Sequence, residues 1–190
     1  MTEQTLRFDD LVNGLDVSRT NGTPTIDISS VSYDSRLATP GSLFVALQGG
    51  YTDGHLHLSD ARARGAVAAL VERWTSDAEL FEACVQVHDT RSALAQVASR
   101  FYREPGAALG VIGVTGTDGK TTTTFLIDSI LRQSGLHTGV IGTVIVRIGD
   151  EITDHDTRQT TPESLEIQQL LAQMRDTRVD WAILEATSHG

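Results

Sequence analysis

The sequence predicts an α/β protein with two units, a small N-terminal α/β domain followed by the first part of a second α/β domain with a mostly parallel sheet. Three observations support this fold class. Short β-branched strands alternate with segments of helical spacing. A hinge at Glu104-Pro105-Gly106 follows one complete α/β pattern, and a glycine-rich loop lies between a strand and a helix beyond it. We therefore place the domains at residues 1–106 and 107–190.

Composition excludes several classes of protein. The 190 residues carry a formal net charge of −10 with no basic block, which argues against partners such as nucleic acid or a membrane surface. The single cysteine, Cys84, excludes an internal disulfide framework. His55 and His57 are only two residues apart, so we expect a surface or loop role for them rather than a metal site. Because the N-terminus has no long apolar run, we expect a cytoplasmic protein. We also expect it to be a monomer.

The first unit is predicted to alternate strands and helices. Its glycine-rich loop at residues 49–54 follows a buried strand, where α/β domains usually contact ligands, although a plain hairpin or surface loop remains the alternative. Thr90 is the expected N-cap of the last helix. The predicted helices are Leu6 to Leu15, Leu58 to Arg64, Ser76 to Ala83 and Thr90 to Tyr102, and the predicted strands are Ile26 to Val31, Leu43 to Leu47, Ala66 to Val71 and Val85 to Val87.

The second unit opens on a strand, a glycine loop and a helix. Such a loop turns backbone N–H groups into one cavity, at the positive end of the helix dipole, and so cradles phosphates. Lys120 would reach the β- and γ-phosphates, and the Thr121 hydroxyl would coordinate Mg²⁺. The pattern is G-x-x-G-K-T, since Val114 occupies the position of the first glycine in the strict motif. A glycine-rich turn before a threonine-rich helix start is the alternative.

Further elements are predicted after this loop. Leu126, Ile127, Ile130 and Leu131 would form the buried face of its helix. Residues 138–146 are β-rich, and a later helix would open with Thr161 as N-cap and Pro162 at its first position. Its buried stripe would be Ile167, Leu170, Leu171 and Met174. The strand 180–185 ends in Glu185, which could contact a metal ion beside the phosphates or simply meet solvent.

Five blocks in this order resemble the Mur ligase family, and most closely its MurE branch. They run from about Tyr33 to the last residue: Asp34-Ser35-Arg36, Pro40 to Leu47 with Asp53-Gly54-His55, Gly116 to Thr124, Thr160-Thr161-Pro162, and Glu185 to Gly190. The resemblance implies a UDP-binding N-terminal domain and a central ATPase domain. It also implies ATP-dependent addition of a third amino acid, meso-diaminopimelate or L-lysine, to UDP-N-acetylmuramoyl-L-alanyl-D-glutamate, through an acyl phosphate.

The resemblance also implies roles for individual residues. ATP would bind at Gly116, Thr117, Asp118, Gly119, Lys120, Thr121 and Thr122, with Lys120 acting in catalysis and Thr121 and Glu185 holding Mg²⁺. The UDP-muramoyl-dipeptide substrate would contact Tyr33, Ser35, Gly50, Tyr51, Thr52, Thr160, Thr161 and Ser188.

Several positions depart from the family pattern. Asp118 stands where asparagine is usual, and its carboxylate should repel phosphates unless Mg²⁺ or a backbone cap occupies it. Gln159 replaces a frequent asparagine, and Glu185-Ala186-Thr187 replaces Glu-Val-Ser. The chain also ends before the carbamylated lysine and the amino-acid-binding domain, so we expect an N-terminal fragment that is inactive alone.

Three rival functions remain open at this stage. A non-catalytic nucleotide or UDP-sugar binding module would fit the length. A phosphate-loop NTPase or kinase would leave Asp34-Ser35-Arg36 unexplained. A ligase adding glutamate to folates should lack the N-terminal block.

Overall fold

The computed structural model describes residues 5–50, 52–142, 145–154 and 162–186. It divides into two compact units, Met1–Phe101 and Tyr102–Gly190. The boundary proposed from the sequence, at residue 106, falls in the 3₁₀ turn Pro105–Ala107 that follows this division. Both units combine helices with a five-stranded mixed sheet that contains parallel neighbours, which confirms the predicted α/β class.

The first unit contains seven strands and three helices among its described residues. The strands are β1 (Leu6–Arg7), β2 (Val17–Gly22), β3 (Asp27–Ile28), β4 (Ser30–Ser32), β5 (Ser42–Val45), β6 (Ala68–Val71) and β7 (Ala83–Val87). The helices are α1 (Phe8–Val12), α2 (Leu58–Ala63) and α3 (Thr90–Phe101). Short 3₁₀ turns lie at Ser35–Leu37, Gly54–His57 and Ala78–Leu80.

Five of these strands form one sheet in the order β2-β7-β6-β5-β4. Strands β4 to β7 run parallel, and β2 is antiparallel at one edge. Every residue of β5 and β6 is buried, as expected for apolar runs inside an α/β layer. Parallel strands end at a common edge, so the segments after β4, β5, β6 and β7 meet there.

The first unit differs from the prediction in several places: strand β2 (Val17–Gly22) was not predicted, and Leu6–Arg7 forms β1 rather than the start of a helix. The segment predicted as a helix from Ser76 to Ala83 contains only the 3₁₀ turn Ala78–Leu80, because β7 begins at Ala83 and pairs with Ala68 of β6. The N-cap of α3 is Asp89, whose carboxylate accepts a 2.9 Å hydrogen bond from the backbone N–H of Ser92. Thr90 is instead the first helical residue, and it is completely buried.

Replacing Asp89 with alanine is expected to lower the free energy of unfolding of the first unit by about 1 kcal/mol, the usual effect of losing an N-cap. Urea unfolding measures this through Trp74, the only one of the two tryptophans in this unit. Asp89→Asn keeps the acceptor and should unfold like the wild type. Asp16→Ala removes an exposed aspartate and is the matched control. Equal midpoints for Asp89→Ala and the wild type would contradict the cap.

The second unit contains five strands and two longer helices among its described residues. The strands are β8 (Gly110–Val114), β9 (Thr138–Ile141), β10 (Ile145–Ile148), β11 (Glu151–Asp154) and β12 (Trp181–Glu185). The helices are α4 (Lys120–Gln133) and α5 (Ser164–Asp176). The sheet order is β11-β10-β9-β12-β8. Strands β9, β12 and β8 are parallel, so β12 lies beside β8, the first strand of this unit.

Helix α4 packs only part of the face predicted for it against the core. Ile127 and Leu131 pack against a core of Val114, Val140 and Ile183, as expected. Leu126 and Ile130, however, are 59% and 66% exposed. The helix is rotated so that Thr124 and Asp128 are buried instead.

Helix α5 begins later than predicted. Its first residue is Ser164, and Glu163 rather than Thr161 occupies the N-cap position, so Pro162 precedes the helix. The predicted stripe is confirmed, since Leu171 and Met174 are core residues and Ile167 and Leu170 pack against them.

Asp128 is buried because it belongs to a polar cluster between α4 and the sheet. Its carboxylate pairs with the guanidinium of Arg147 on β10, and the Thr138 hydroxyl donates to the same oxygen at 2.6 Å. The side chains of Arg147 and Asp128 are 6% and 10% exposed. The Arg147 guanidinium also donates to the carbonyl oxygens of Thr138 and Gly149. The helix that follows the glycine loop is therefore fixed to the sheet by a satisfied buried ion pair.

Candidate functional site

The glycine loop leaves the carboxyl end of β8 and enters α4 directly. Gly119 precedes the first helical residue with φ +76°, and Gly116 has φ +149°. Both values lie in the region that favours glycine, so these two residues allow the tight turn. Thr117, Asp118 and Thr122 are exposed around it. The free N–H groups at the start of α4 and its dipole consequently face a solvent-open loop that could hold an anion.

Lys120 lies across this loop. Its ammonium group donates hydrogen bonds to the carbonyl oxygens of Gly116, at 2.8 Å, and Thr117, at 3.2 Å. A lysine in this position carries a mobile positive charge that can exchange loop carbonyls for phosphate oxygens. Lys120 is also the only lysine in the sequence, since the other fourteen basic residues are arginines.

Glu185 ends β12 directly beside the loop. In the parallel register Glu185 pairs with Val114, the last residue of β8. The Thr121 hydroxyl donates toward both carboxylate oxygens of Glu185, at 3.1 and 3.2 Å. Glu185 is only 4% exposed. The structure thus brings together Lys120, Thr121 and Glu185, as the sequence predicted, and the solvent-facing alternative for Glu185 is wrong.

These groups fit a hard divalent cation better than a transition metal. A threonine hydroxyl and a buried carboxylate are oxygen donors, which Mg²⁺ prefers, and it usually takes the rest of its shell from water and phosphates. Within the described ranges no group of three or more His, Cys, Asp or Glu side chains could form a protein cage for a metal. The site is therefore one that a metal–nucleotide complex would complete.

The second unit also has a cleft of about 610 Å³, lined by Ala107 to Gly110 and by Leu136, Arg175 and residues 178–181. Gly110 and Trp181 are the first residues of β8 and β12, whereas the glycine loop and Glu185 lie at the other ends of these strands. The cleft is accordingly separate from the loop site.

The first unit carries a second candidate site at the carboxyl edge of its sheet. After β4, the Asp34 carboxylate accepts hydrogen bonds from the backbone N–H of Arg36, at 2.9 Å, and from its guanidinium. The pKa of Asp34 is lowered, because the hydrogen bond from Arg36 and its charge outweigh the opposite effect of partial burial. This turn places Ser35 at the start of a 3₁₀ turn, largely buried, with Tyr33 partly buried before it.

The loop after β5 approaches the same edge. Gly50 and Thr52 are exposed, and the Thr52 hydroxyl lies 2.9 Å from Nε2 of His57. Helix α2, which begins directly after His57, packs against the 3₁₀ turn Ser35–Leu37 that follows Asp34. The structure therefore brings the predicted substrate residues Ser35 and Thr52 to one side of the first unit.

A surface or loop role was predicted for His55, and the structure places it in the 3₁₀ turn Gly54–His57 but buries its side chain. Its Nδ1 lies 2.7 Å from Oδ1 of Asp53, and its Nε2 accepts hydrogen bonds from the backbone N–H groups of Glu72, at 2.9 Å, and Arg73, at 3.2 Å. Burial raises the pKa of Asp53, but hydrogen bonds from His55 and Arg73 outweigh it and hold the pKa at about 2. The signal in the sequence is Asp53 itself, since aspartate favours an Asx turn. In the structure its carboxylate accepts a hydrogen bond from the His55 N–H.

Four predicted substrate residues, Tyr51, Thr160, Thr161 and Ser188, lie outside the described residues. In the part of the chain that is described, no helix combines the length and the apolar character that a membrane crossing requires.

A parallel sheet with a glycine loop, lysine and threonine after one strand and a buried acid at the end of its neighbour belongs to the class of phosphate-loop α/β proteins. Comparison with family models is more specific. Residues 27–102 match the model described as Mur ligase family, catalytic domain, and residues 114–190 match the Mur ligase middle domain. The chain belongs to the Mur ligase family.

Similar proteins agree with this assignment. Over 86% of its length the chain is 46% identical to a UDP-N-acetylmuramyl-tripeptide synthetase of Roseiflexus sp. (strain RS-1), of which it covers 32%. Over 97% of its length it is 41% identical to a UDP-N-acetylmuramoyl-L-alanyl-D-glutamate--2,6-diaminopimelate ligase of Caldanaerobacter subterraneus subsp. tengcongensis, of which it covers 37%.

A solved structure of a UDP-N-acetylmuramoyl-L-alanyl-D-glutamate--2,6-diaminopimelate ligase superimposes with a TM-score of 0.76 at 25% identity. The match covers 98% of this chain and 37% of that one. The chain thus spans about a third of the length of the relatives it matches.

Proposed function

We propose that this chain acts in an ATP-dependent ligase of peptidoglycan synthesis, which adds a diamino acid to UDP-N-acetylmuramoyl-L-alanyl-D-glutamate in the cytoplasm. The contact between Thr121 and the buried carboxylate of Glu185, beside Lys120, is the observation that carries the ATP part of this proposal. The diamino acid substrate is inferred from the names of the relatives, since two of those described above are diaminopimelate ligases. MurE-type chemistry would transfer the γ-phosphoryl group to the substrate carboxylate, and an amine would then displace phosphate.

The residues of the second unit suit the first of these steps. The N–H groups at the start of α4 would bind phosphate oxygens, and Lys120 would leave the carbonyls of Gly116 and Thr117 to contact the same oxygens. Thr121 and Glu185 would hold Mg²⁺, which supplies positive charge against the transferring phosphoryl group. Phosphoryl transfer depends mainly on positioning and charge stabilisation, so no side chain need act as a nucleophile.

The first unit would bind the UDP part of the substrate. Ser35 and Thr52 lie on the side of its sheet where α/β domains bind ligands, and Gly50 offers exposed backbone there. We propose that Tyr33, Ser35, Gly50, Tyr51 and Thr52 form this site. By the same resemblance, Thr160, Thr161 and Ser188 would contact the muramoyl-dipeptide.

Titration of the 190-residue chain with UDP-N-acetylmuramoyl-L-alanyl-D-glutamate tests the substrate assignment. Ser35→Ala is expected to weaken binding by about three- to tenfold, because a neutral hydrogen bond contributes about 0.5–1.5 kcal/mol. Isothermal titration calorimetry gives both affinities, and Ser29→Ala, at an exposed serine of the same unit, is the control.

Unchanged affinity in Ser35→Ala would contradict the proposed pocket. Phosphate release at a normal rate from this chain with ATP, substrate and diaminopimelate would contradict the expectation that it is inactive alone. If a protein of the relatives' full length that contains this chain binds ATP and the UDP-muramoyl-dipeptide but turns neither over, the non-catalytic binding module is favoured.

A further inference from the structure

A buried polar network joins three segments at the carboxyl edge of the first sheet. The Thr90 hydroxyl, at the start of α3, lies 3.0 Å from the carbonyl oxygen of Ala46 and 2.8 Å from Oε1 of Glu72. The backbone N–H of Thr90 donates to the same oxygen of Glu72 at 2.8 Å. The ends of β5 and β6 and the start of α3 are therefore fixed to one another.

His55 extends this network to the loop after β5. Because Nε2 accepts two backbone N–H groups, the ring proton lies on Nδ1 and is donated to Asp53. The His55 side chain is only 2% exposed, so it cannot touch a ligand in solvent. Its two nitrogens do different things: Nε2 satisfies the backbone after β6, and Nδ1–H fixes the Asp53 carboxylate.

Asp53 lies at the base of the loop that contains Gly50 and Thr52. It forms an isolated antiparallel bridge with Gln48, and the Gly49 N–H donates to the Thr52 carbonyl at 2.9 Å. At Gly54 a Cβ would lie 2.8 Å from the backbone nitrogen of Leu47, so the chain passes too close for a side chain. Arg73 holds the other oxygen of Asp53 from outside, with its own side chain 53% exposed.

We propose that Asp53 and His55 are positioning residues, which orient exposed Gly50 and Thr52 for a nucleoside-diphosphate sugar without contacting it. This inference rests on the proposed function of the first unit. The imidazole then has a second role besides accepting backbone N–H groups. Its Nδ1–H holds the Asp53 carboxylate and so fixes the loop, and Arg73 holds the same carboxylate from the solvent side.

Two substitutions of His55 separate these tasks. In His55→Asn the side-chain amide can still donate to Asp53 but no longer reaches the N–H groups of Glu72 and Arg73. In His55→Gln the amide oxygen can accept those N–H groups, while the donor to Asp53 is lost. A third variant, Arg73→Gln, removes only the outer contact, and Arg64→Gln, at an exposed arginine of the same unit, is its control.

Affinity for UDP-N-acetylmuramoyl-L-alanyl-D-glutamate and the urea midpoint are measured for each variant of the 190-residue chain. Both His55 variants should unfold at lower urea concentration. His55→Gln should bind at least tenfold more weakly, whereas His55→Asn should stay within about threefold of the wild type. Arg73→Gln should lose several-fold in affinity with an unchanged midpoint, and Arg64→Gln should lose neither.

A purely structural His55 would make affinity follow stability in both variants, and that result would overturn the inference. If the His55 variants do not fold, wild-type affinity in Arg73→Gln would overturn it. If the wild type itself does not bind the sugar nucleotide, the proposed function of the unit fails. In that case amide exchange at Gly49 decides the positioning role, with faster exchange in His55→Gln than in His55→Asn supporting it and equal exchange overturning it.

Discussion

Replacing Lys120 with alanine is expected to weaken the binding of Mg·ATP to the chain about a hundredfold. Its ammonium group already makes two hydrogen bonds across the loop, to Gly116 and Thr117, and would make comparable ones to phosphate oxygens. Charge-assisted hydrogen bonds contribute about 1.5–3 kcal/mol each, and about 1.4 kcal/mol corresponds to a factor of ten. Calorimetric titration with a non-hydrolysable ATP analogue and Mg²⁺ measures the loss.

Arg132→Gln is the matched control for this experiment. Arg132 lies on the same helix α4, near its other end, in an exposed ion pair with Asp150. It should leave the affinity within about twofold. Because Lys120 is the only lysine, an amine-reactive label has one side-chain target in the chain, and ATP should protect it. Wild-type affinity in Lys120→Ala, or labelling that ATP does not slow, would contradict a triphosphate site at this loop.

The positions of these residues could be predicted from the sequence because the signals are local. Gly116, Gly119, Lys120 and Thr121 lie within six consecutive residues, and a strand and a helix must flank them for the loop to work. Glu185 could also be placed, since the carboxyl ends of neighbouring parallel strands meet at one edge. The placement of Glu185 assumed that β12 pairs with β8. This pairing joins strands that are distant in the chain, and the structure shows it.

The orientation of α4 could not be predicted from apolar spacing. The sequence pattern favoured Leu126 and Ile130 as core residues, whereas the structure buries Thr124 and Asp128. An aspartate in a helix ordinarily indicates the solvent face. Asp128 reverses that rule because its partner, Arg147, lies nineteen residues away on β10, and no local pattern reports such a pair.

The same reason explains His55. The sequence predicted a surface or loop role for it, but its Nε2 accepts hydrogen bonds from the backbone N–H groups of Glu72 and Arg73, which follow the strand β6 that pairs with β5. An aspartate two residues before His55 is compatible with an Asx turn, but the N–H donors of Glu72 and Arg73 lie too far along the chain to be identified from it. For α4 and for His55 alike, the contacts that the sequence did not reveal are polar and join residues distant in the chain.

Removal of the Asp128 carboxylate is expected to destabilise the second unit by about 3–5 kcal/mol. Asp128→Ala would leave the guanidinium of Arg147, only 6% exposed, without its buried counter-charge. The Thr138 hydroxyl would lose the same acceptor. Urea unfolding measures the change through Trp181, the tryptophan of the second unit, in a Trp74→Phe background that silences the first.

Comparison with an exposed ion pair separates the effect of burial from that of charge. Asp150→Ala breaks the contact with Arg132, where the two side chains are 92% and 44% exposed, and should change stability by less than about 1 kcal/mol. The double variant Asp128→Leu/Arg147→Met removes both buried charges and should recover most of the loss, since well-packed apolar residues can replace such a pair. If Asp128→Ala and Asp150→Ala cost the same, or the double variant is no more stable than Asp128→Ala, the stability of α4 does not depend on this pair. In that case the rotation of the helix would have to come from Ile127 and Leu131 alone.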